Sequence, residues 1–193
     1  MKTRHIYRVS VPCTLLISFI LIASVFTGSS VYAHIAGRSY IYLRVYENKL
    51  TGNFHMKLRD LNEALGLQTT EVQITEDNLV DRQGEIHSYY KEKVQFFDGD
   101  NALPMRFTGF GMMRLPDIWV LTEFVIIENA VTPDVIGIDY NVLFDKDPEH
   151  VGRLGIENFW NASLFNNESQ IALTFSPGNH RQQLSFSEYS VFT

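Results

Sequence analysis

The chain has 193 residues, of which 45% are hydrophobic and 13% aromatic, and its formal net charge is -6 because 22 Asp and Glu outnumber 16 Lys and Arg. This acidic balance argues against nucleic acid, whose phosphates require basic patches, and against electrostatic docking on anionic lipid. The only cysteine, Cys13, lies near the N-terminus, so the rest of the chain has no disulfide, no thiolate nucleophile and no Cys-ligated zinc.

Residues 1–33 have the pattern of a secretory signal peptide. The basic residues come first: Lys2, Arg4 and Arg8. An apolar run from Val11 to Phe26 follows, and the small side chains of Val31 and Ala33 match a small-x-small cleavage site. The run is shorter than the ~20 apolar residues that a bilayer needs. We therefore expect a secreted or periplasmic protein that begins at His34; a retained signal would instead make it membrane-anchored.

Residues 34–193 are expected to form one extracytoplasmic domain, which opens with a β-hairpin. The segment Tyr40–Tyr46 (YIYLRVY) is rich in β-branched and aromatic residues. A polar turn joins it to a second strand candidate, Leu50–Leu58, and this arrangement is typical of a hairpin.

A helical insertion is predicted near residues 60–92. Asp60 is of the N-cap type and Gly66 is a common helix terminator, so the residues between them predict one or two helical turns. A longer helix is predicted from Glu76 to Lys93, although Gly84 weakens its middle.

From residue 94 onward, short strand candidates alternate with Pro and Gly turns. The candidates are Val94–Phe97, Met105–Met112, Trp119–Glu128, Val135–Phe144, Gly152–Ile156 and Ile171–Phe175. Short strands at this spacing predict a mainly β fold, an antiparallel, immunoglobulin-like β-sandwich with the helical insertion near its start.

No motif of a catalytic nucleophile is present. The serines occur in no G-x-S-x-G setting, and no Ser-x-x-Lys pair begins a predicted helix. Carboxylates are so numerous that their proximity in sequence carries little information. We therefore expect neither an enzyme nor a small-molecule substrate.

His34 is a candidate metal ligand because cleavage after Ala33 would make it the N-terminal residue. The α-amine titrates near ~8 and the imidazole near ~6.5, so both can bind one ion as neutral nitrogen ligands close to neutral pH. Nitrogen ligands of this kind suit copper(II) and nickel(II). The alternative is an ordinary frayed terminus.

The run from Tyr140 to His150 contains the densest group of polar residues. A strand is predicted to end at Phe144, and acidic residues then surround a Pro turn. Asp145, Asp147 and His150 could bind a divalent cation. In the alternative, Asp145 and Asp147 accept backbone N–H bonds in an Asx turn.

Several stretches occur in this order along the chain: Ala33-His34 at the end of the signal, SYIYLRV, LTGNFHMKLRDLNEALGL and YNVLFDKDPEHVGRLGI. Together they resemble the extracytoplasmic N-terminal region of HupE/UreJ-type proteins, named for hydrogenase and urease accessory proteins. The resemblance covers most of residues 33–156. It implies a role in handling nickel or cobalt beside a membrane transporter or another envelope protein.

The chain departs from this family in two places. Family members often carry an acidic, EF-hand-like loop after the Ala-Leu-Gly-Leu stretch, but here only Glu71 is acidic and no Gly follows, so calcium is not expected there. The family's transmembrane helices should follow the domain, yet no run of ~18 apolar residues follows the signal. We therefore expect a soluble or truncated relative that presents a metal, or a structural and protein-interaction module of the cell envelope without metal.

Overall fold

The computed structural model describes residues 37–67, 76–157 and 171–187, so the predicted signal, its cleavage site and His34 lie outside the described residues. Within these ranges the chain forms ten strands and three helices. The strands are β1 (Arg38–Tyr46), β2 (Lys49–Lys57), β3 (Val94–Asp98), β4 (Asn101–Leu103), β5 (Arg106–Leu115), β6 (Asp117–Glu128), β7 (Val135–Tyr140), β8 (Val151–Ile156), β9 (Ile171–Phe175) and β10 (Arg181–Ser185). The helices lie between β2 and β3, and they are α1 (Leu58–Leu65), α2 (Glu76–Val80) and α3 (Gln83–Lys93).

The strands form two sheets, which confirms that the chain is mainly β. The larger sheet has the order β5-β6-β2-β1-β8-β9, and the smaller has the order β10-β7-β3-β4. β1 and β2 form the predicted antiparallel hairpin, with Tyr46 opposite Lys49. On its other side β1 pairs in parallel with β8, with Ser39 opposite Gly152. This parallel pair places the start of β1 beside the segment that precedes β8.

The core contains side chains from both sheets. On β1, Ile41, Leu43 and Val45 are buried and alternate with half-buried neighbours, as expected for a strand with one face toward the core. Aromatic rings connect the two sheets: the rings of Phe96 on β3 and Phe124 on β6 lie 5.7 Å apart. A second such contact joins Tyr140 of β7 to Phe175 of β9, whose rings stack at 5.1 Å.

The helices differ in detail from the expectation. α1 begins at Leu58, so Asp60 lies inside its first turn instead of capping it. Gly66 ends α1 as predicted, with φ 62° and its N–H donating to the carbonyl of Asn62. The single helix predicted from Glu76 to Lys93 is divided into α2 and α3 by a turn. No helix in the described ranges is long and apolar enough to cross a membrane.

The strand predicted from Val135 to Phe144 ends earlier, at Tyr140. Leu143 has φ 62°, a left-handed conformation that breaks the alternation of a strand. Val142 and Leu143 are therefore both buried, whereas Phe144 is only half-buried. Tyr140, Val142 and Phe144 therefore do not share one buried face, as they would if the predicted strand continued to Phe144, because the chain turns after Tyr140.

The face of β1 and β2 that points away from the core carries half-buried aromatic side chains. The ring of His55 on β2 lies edge-on to the ring of Tyr42 on β1, with centroids 4.9 Å apart. Burial, with a smaller contribution from the positive charge of Arg44, lowers the pKa of His55 from 6.5 to about 4. His55 is therefore neutral in the folded protein at mildly acidic pH.

We expect the free energy of unfolding to fall as the pH drops from 6.5 to about 4, because only the unfolded chain protonates His55 in this window. Replacing His55 with phenylalanine should make this loss smaller. Burial also lowers the pKa of His150, so part of the pH dependence should remain. Urea midpoints near pH 7 and near pH 5, compared between wild type and His55→Phe, check this. An equal loss of stability between pH 7 and pH 5 in wild type and in His55→Phe would contradict this role of His55.

Candidate functional site

A group of buried polar side chains surrounds Gly37 at the start of β1. We call it the Gly37 cluster; its members are Ser39, Asp60, Tyr140, Asp147 and His150, all at most 8% exposed. They come from β1, from the first turn of α1, from the end of β7 and from the segment before β8. The parallel β1–β8 pair holds these parts together, since Val151 N–H donates to the carbonyl of Gly37.

Ser39 connects Tyr140 to His150. Its Oγ is hydrogen-bonded to Tyr140 Oη and lies 2.7 Å from His150 Nε2. Burial raises the pKa of Tyr140 well above its ordinary value, so the phenol keeps its proton. The hydroxyl of Tyr140 therefore remains available as a donor.

Asp147 holds the turn between β7 and β8. Its Oδ1 accepts the N–H of Glu149 at 3.0 Å, and its main-chain carbonyl accepts the N–H of His150 at 3.0 Å. Its Oδ2 accepts the N–H of Gly37 at 3.3 Å. The first of these bonds confirms the Asx turn considered from the sequence for Asp147.

Two buried polar atoms of the cluster have no hydrogen-bond partner among the described residues: His150 Nδ1 and Asp60 Oδ2. Both point at Gly37. A Cβ placed on Gly37 would lie 2.7 Å from His150 Nδ1 and 3.3 Å from both Asp60 Oδ2 and Asp147 Oδ2. The absence of a side chain at Gly37 therefore lets three polar side chains converge on one place.

The charge state of His150 follows from its surroundings. Burial lowers the pKa of His150, while the nearby carboxylates of Asp60 and Asp147 act in the opposite direction. The ring is therefore neutral near neutral pH and presents one protonated and one unprotonated nitrogen. Buried polar atoms without partners are uncommon, and they are candidates for binding a ligand, an ion or a water molecule.

The structure locates three of the four residues predicted to bind metal. Asp147 and His150 lie together in the Gly37 cluster. Asp145 is exposed, and its Oδ1 lies 3.5 Å from Lys93 Nζ. The fourth, His34, lies outside the described residues.

Sequence reasoning missed Ser39 and Asp60 as members of a site. Ser39 could have been found, because it is in step with Ile41, Leu43 and Val45 and so belongs to the buried face of β1. The sequence predicts Asp60 to be a helix N-cap. The N-cap is instead Lys57, three residues earlier, so Asp60 lies in the first turn of α1 and is buried there.

The Ser39–His150 pair has the connectivity of the serine and histidine of a Ser-His-Asp triad. However, Ser39 is 3% exposed, its hydroxyl is also bound to Tyr140, and within residues 37–67, 76–157 and 171–187 no side chain accepts a hydrogen bond from His150 Nδ1. The geometry favours a buried binding site over an exposed nucleophile.

As the side chains stand, no group of three or more His, Cys, Asp and Glu residues in the described part of the chain is spaced to hold a metal ion. The donors of the Gly37 cluster surround an α-carbon instead of an open point. A metal bound here would require the side chains of Asp60 and Asp147 to rotate toward His150.

Comparison with protein-family models gives no match for this chain, and comparison with curated proteins gives none either.

Proposed function

We propose that this chain is a non-enzymatic extracytoplasmic domain of the HupE/UreJ type, exported and cleaved after Ala33. In this proposal the two sheets form an immunoglobulin-like sandwich. The domain binds one divalent transition metal, nickel or copper, as cargo at the Gly37 cluster and presents it to a membrane transporter or another envelope protein.

The positions of the resembling segments support this proposal. SYIYLRV contains Ser39, the LRDL stretch contains Asp60, and YNVLFDKDPEH contains Tyr140, Asp147 and His150. These segments are distant in sequence, yet their polar residues are buried together around Gly37. The stretches that carry the resemblance thus share one site.

The observation that carries the proposal is a pair of buried atoms that have no hydrogen-bond partner among the described residues, His150 Nδ1 and Asp60 Oδ2. Leaving a buried polar group unpaired costs about 1–3 kcal/mol, more for a charged one, so such atoms persist where a ligand completes them. Imidazole nitrogen and carboxylate oxygen suit first-row divalent metals, with nickel and copper among the tightest bound. Asp60 and Asp147 would also offset the positive charge of the ion.

Titration calorimetry of the exported, processed protein with Ni²⁺ and with Cu²⁺ tests the proposal. We expect one site, whose affinity falls at least tenfold, or ~1.4 kcal/mol, in Asp60→Asn and in His150→Gln. The glutamine keeps a polar atom near Ser39 but removes the Nδ1 donor. Asp145→Asn is the matched control, because this carboxylate lies on the same turn but faces Lys93. Loss of affinity in the control alone, or in none of the variants, would contradict the proposal.

The same titration decides whether His34 participates. The sequence predicts that its free α-amine and imidazole chelate the ion, so His34→Ala, or one extra residue before His34, should weaken binding at least tenfold. Equal affinity in all three proteins would remove His34 from the ligand set. It would not affect the Gly37 cluster, whose variants are measured separately.

A second candidate is a protein-interaction module without metal. An apolar groove of about 530 Å³ favours it; Val45, Phe186 and Val131 are among its lining residues, and Val131 is 85% exposed. An exposed apolar side chain beside a groove, such as Val131, is typical of surfaces that bind another protein, whereas Val45 and Phe186 are buried. Wild-type protein that binds neither Ni²⁺ nor Cu²⁺ would favour this candidate.

A further inference from the structure

We propose that a groove on the outer face of the smaller sheet binds an uncharged carbohydrate chain. Its lining residues include Phe97, Asp98, Val135, Gly137, Arg181 and Gln183, and we call it the Phe97 groove. Its volume of about 650 Å³ lies within the roughly 300–1,000 Å³ of sites that bind small ligands. The groove shares no residue with the Gly37 cluster, so this inference is independent of the proposed function.

The shape of the groove follows from the register of three strands. Gly137 of β7 lies opposite Phe97 of β3 on one side and opposite Gln183 of β10 on the other. Its neighbours Ile136 and Ile138 are buried, so position 137 points away from the core. The middle strand therefore has no side chain between Phe97 and Gln183, whose strands lie about 10 Å apart. This leaves a depression between two walls of side chains.

The walls of the groove offer apolar surface to an occupant. Phe97 is half-buried although it lies on the outer face, and Val135 is 41% exposed. The C–H groups on the face of a sugar ring pack on aromatic and aliphatic side chains of this kind, because burial of apolar surface is favourable. The guanidinium of Arg181 lies 5.0 Å from the centre of the Phe97 ring, and this contact helps to hold both side chains in place.

Three polar side chains of the groove are available to bind hydroxyl groups. Within residues 37–67, 76–157 and 171–187, the side chains of Asp98 and Gln183 form no hydrogen bond, and Arg181 forms no ion pair. Together they supply carboxylate acceptors, guanidinium donors and an amide that both donates and accepts. A hydroxyl group also donates and accepts, so a sugar can satisfy all three without breaking a bond inside the protein. A purely apolar ligand would leave them unpaired.

The charge of the groove and its place in the sheet indicate the class of occupant. The charges of Arg181 and Asp98 cancel, and the whole chain has a net charge of -6, so a polyanion is not favoured. An extended peptide binds at the edge of a sheet, where backbone N–H and C=O groups are free. The Phe97 groove instead lies over β7, which is paired on both sides, with β3 and with β10. Its binding groups are therefore side chains, which suit the hydroxyls and C–H faces of an uncharged carbohydrate.

Proton–nitrogen NMR titration of the exported, processed protein with cellohexaose, chitohexaose and mannohexaose tests the proposal. We expect at least one of these uncharged hexasaccharides to shift the amide signals of β3, β7 and β10. Phe97→Ala should weaken its binding at least tenfold, because the apolar wall is lost. Gly137→Leu should have the same effect, because the leucine fills the depression. It should not disturb the core, since a Cβ at Gly137 comes no closer than 3.4 Å to a neighbouring atom, which belongs to Phe97.

Gln183→Ala and Gln95→Ala form a matched pair of further variants. Both glutamines are exposed on the outer face of the smaller sheet, but Gln183 lines the groove and Gln95 lies outside it. We expect weaker binding in Gln183→Ala and unchanged binding in Gln95→Ala. If Gly137→Leu does not fold, Phe97→Ala and this pair still decide the matter.

Three results would overturn the proposal. The first is that wild type binds none of the three hexasaccharides. The second is that it binds only oligogalacturonate, an acidic probe, which would make the groove a site for carboxylates at Arg181. The third is that a hexasaccharide binds equally well to wild type, Phe97→Ala and Gln183→Ala, which would place its site elsewhere on the protein.

Discussion

Replacing Phe54 with alanine should lower the free energy of unfolding by about 3–5 kcal/mol. The side chain is 2% exposed and lies on β2 in the centre of the core. Its ring stacks on Tyr90 of α3, with centroids 4.1 Å apart, and lies 4.6 Å from the ring of Phe124 on β6. The alanine leaves a cavity between the rings of Tyr90 and Phe124, so little of the lost contact can be recovered. Urea denaturation of both proteins, with equal m-values, measures the difference.

Phe97→Ala is the matched control for this change. Phe97 is a half-buried residue of β3, and its ring lies 5.0 Å from the guanidinium of Arg181. Phe97 is not one of the buried core residues. We therefore expect its replacement to lower the free energy of unfolding by only about 1 kcal/mol, through loss of the cation–π contact and of its partial burial. Equal losses for Phe54 and Phe97 would show that Phe54 does not lie at the centre of the core.

Local patterns in the sequence predicted the local parts of this fold. The β-branched and aromatic residues of Tyr40–Tyr46 predicted a strand, and this segment lies in β1. Gly66 ends α1 because a left-handed residue is required there, which glycine adopts without steric conflict. Each of these predictions depends on a few neighbouring residues only.

The site could not be predicted in full because it depends on distant pairing. Ser39 approaches His150 only through the parallel β1–β8 pair, and no short-range pattern distinguishes a parallel partner from an antiparallel one. The left-handed conformation of Leu143 could not be predicted from the sequence either, since a bulky apolar residue rarely adopts it. It redirects the chain after Tyr140, and the turn held by Asp147 then delivers His150 to the cluster.

The buried network also has a structural role, whatever it binds. A side chain such as Ser39 or Asp147 is expensive to bury unless its partners are in place, so alternative registers of β1 against β8 would leave these groups unpaired. The Gly37 cluster therefore favours one register of the parallel pair. The unpartnered atoms, His150 Nδ1 and Asp60 Oδ2, are the exceptions that this role does not explain.

Replacing Gly152 with alanine should destabilise the domain by about 2–3 kcal/mol. It should also disturb the hydrogen bonds that connect Tyr140 through Ser39 to His150. Gly152 lies on β8 directly under the ring of Tyr140, and a Cβ there would lie 2.8 Å from Cζ and 2.9 Å from Cδ1 of that ring. The ring is 1% exposed and stacks on Phe175, so it has no free space into which to move. Any displacement also shifts the Tyr140 hydroxyl relative to Ser39.

Gly84→Ala is the control for this substitution, because a Cβ at that helical position meets no atom within 4 Å. An alanine within a helix is favoured over glycine by roughly 0.5–1 kcal/mol, so this variant should be slightly more stable than wild type. Urea midpoints measure the change in stability of Gly152→Ala and of Gly84→Ala. Imidazole nitrogen NMR of Gly152→Ala reports whether His150 keeps its hydrogen bond to Ser39. A Gly152→Ala protein with an unchanged midpoint would show that Tyr140 does not pack on the backbone of β8. The hydroxyl of Tyr140 would then lack the rigid support that holds it next to Ser39.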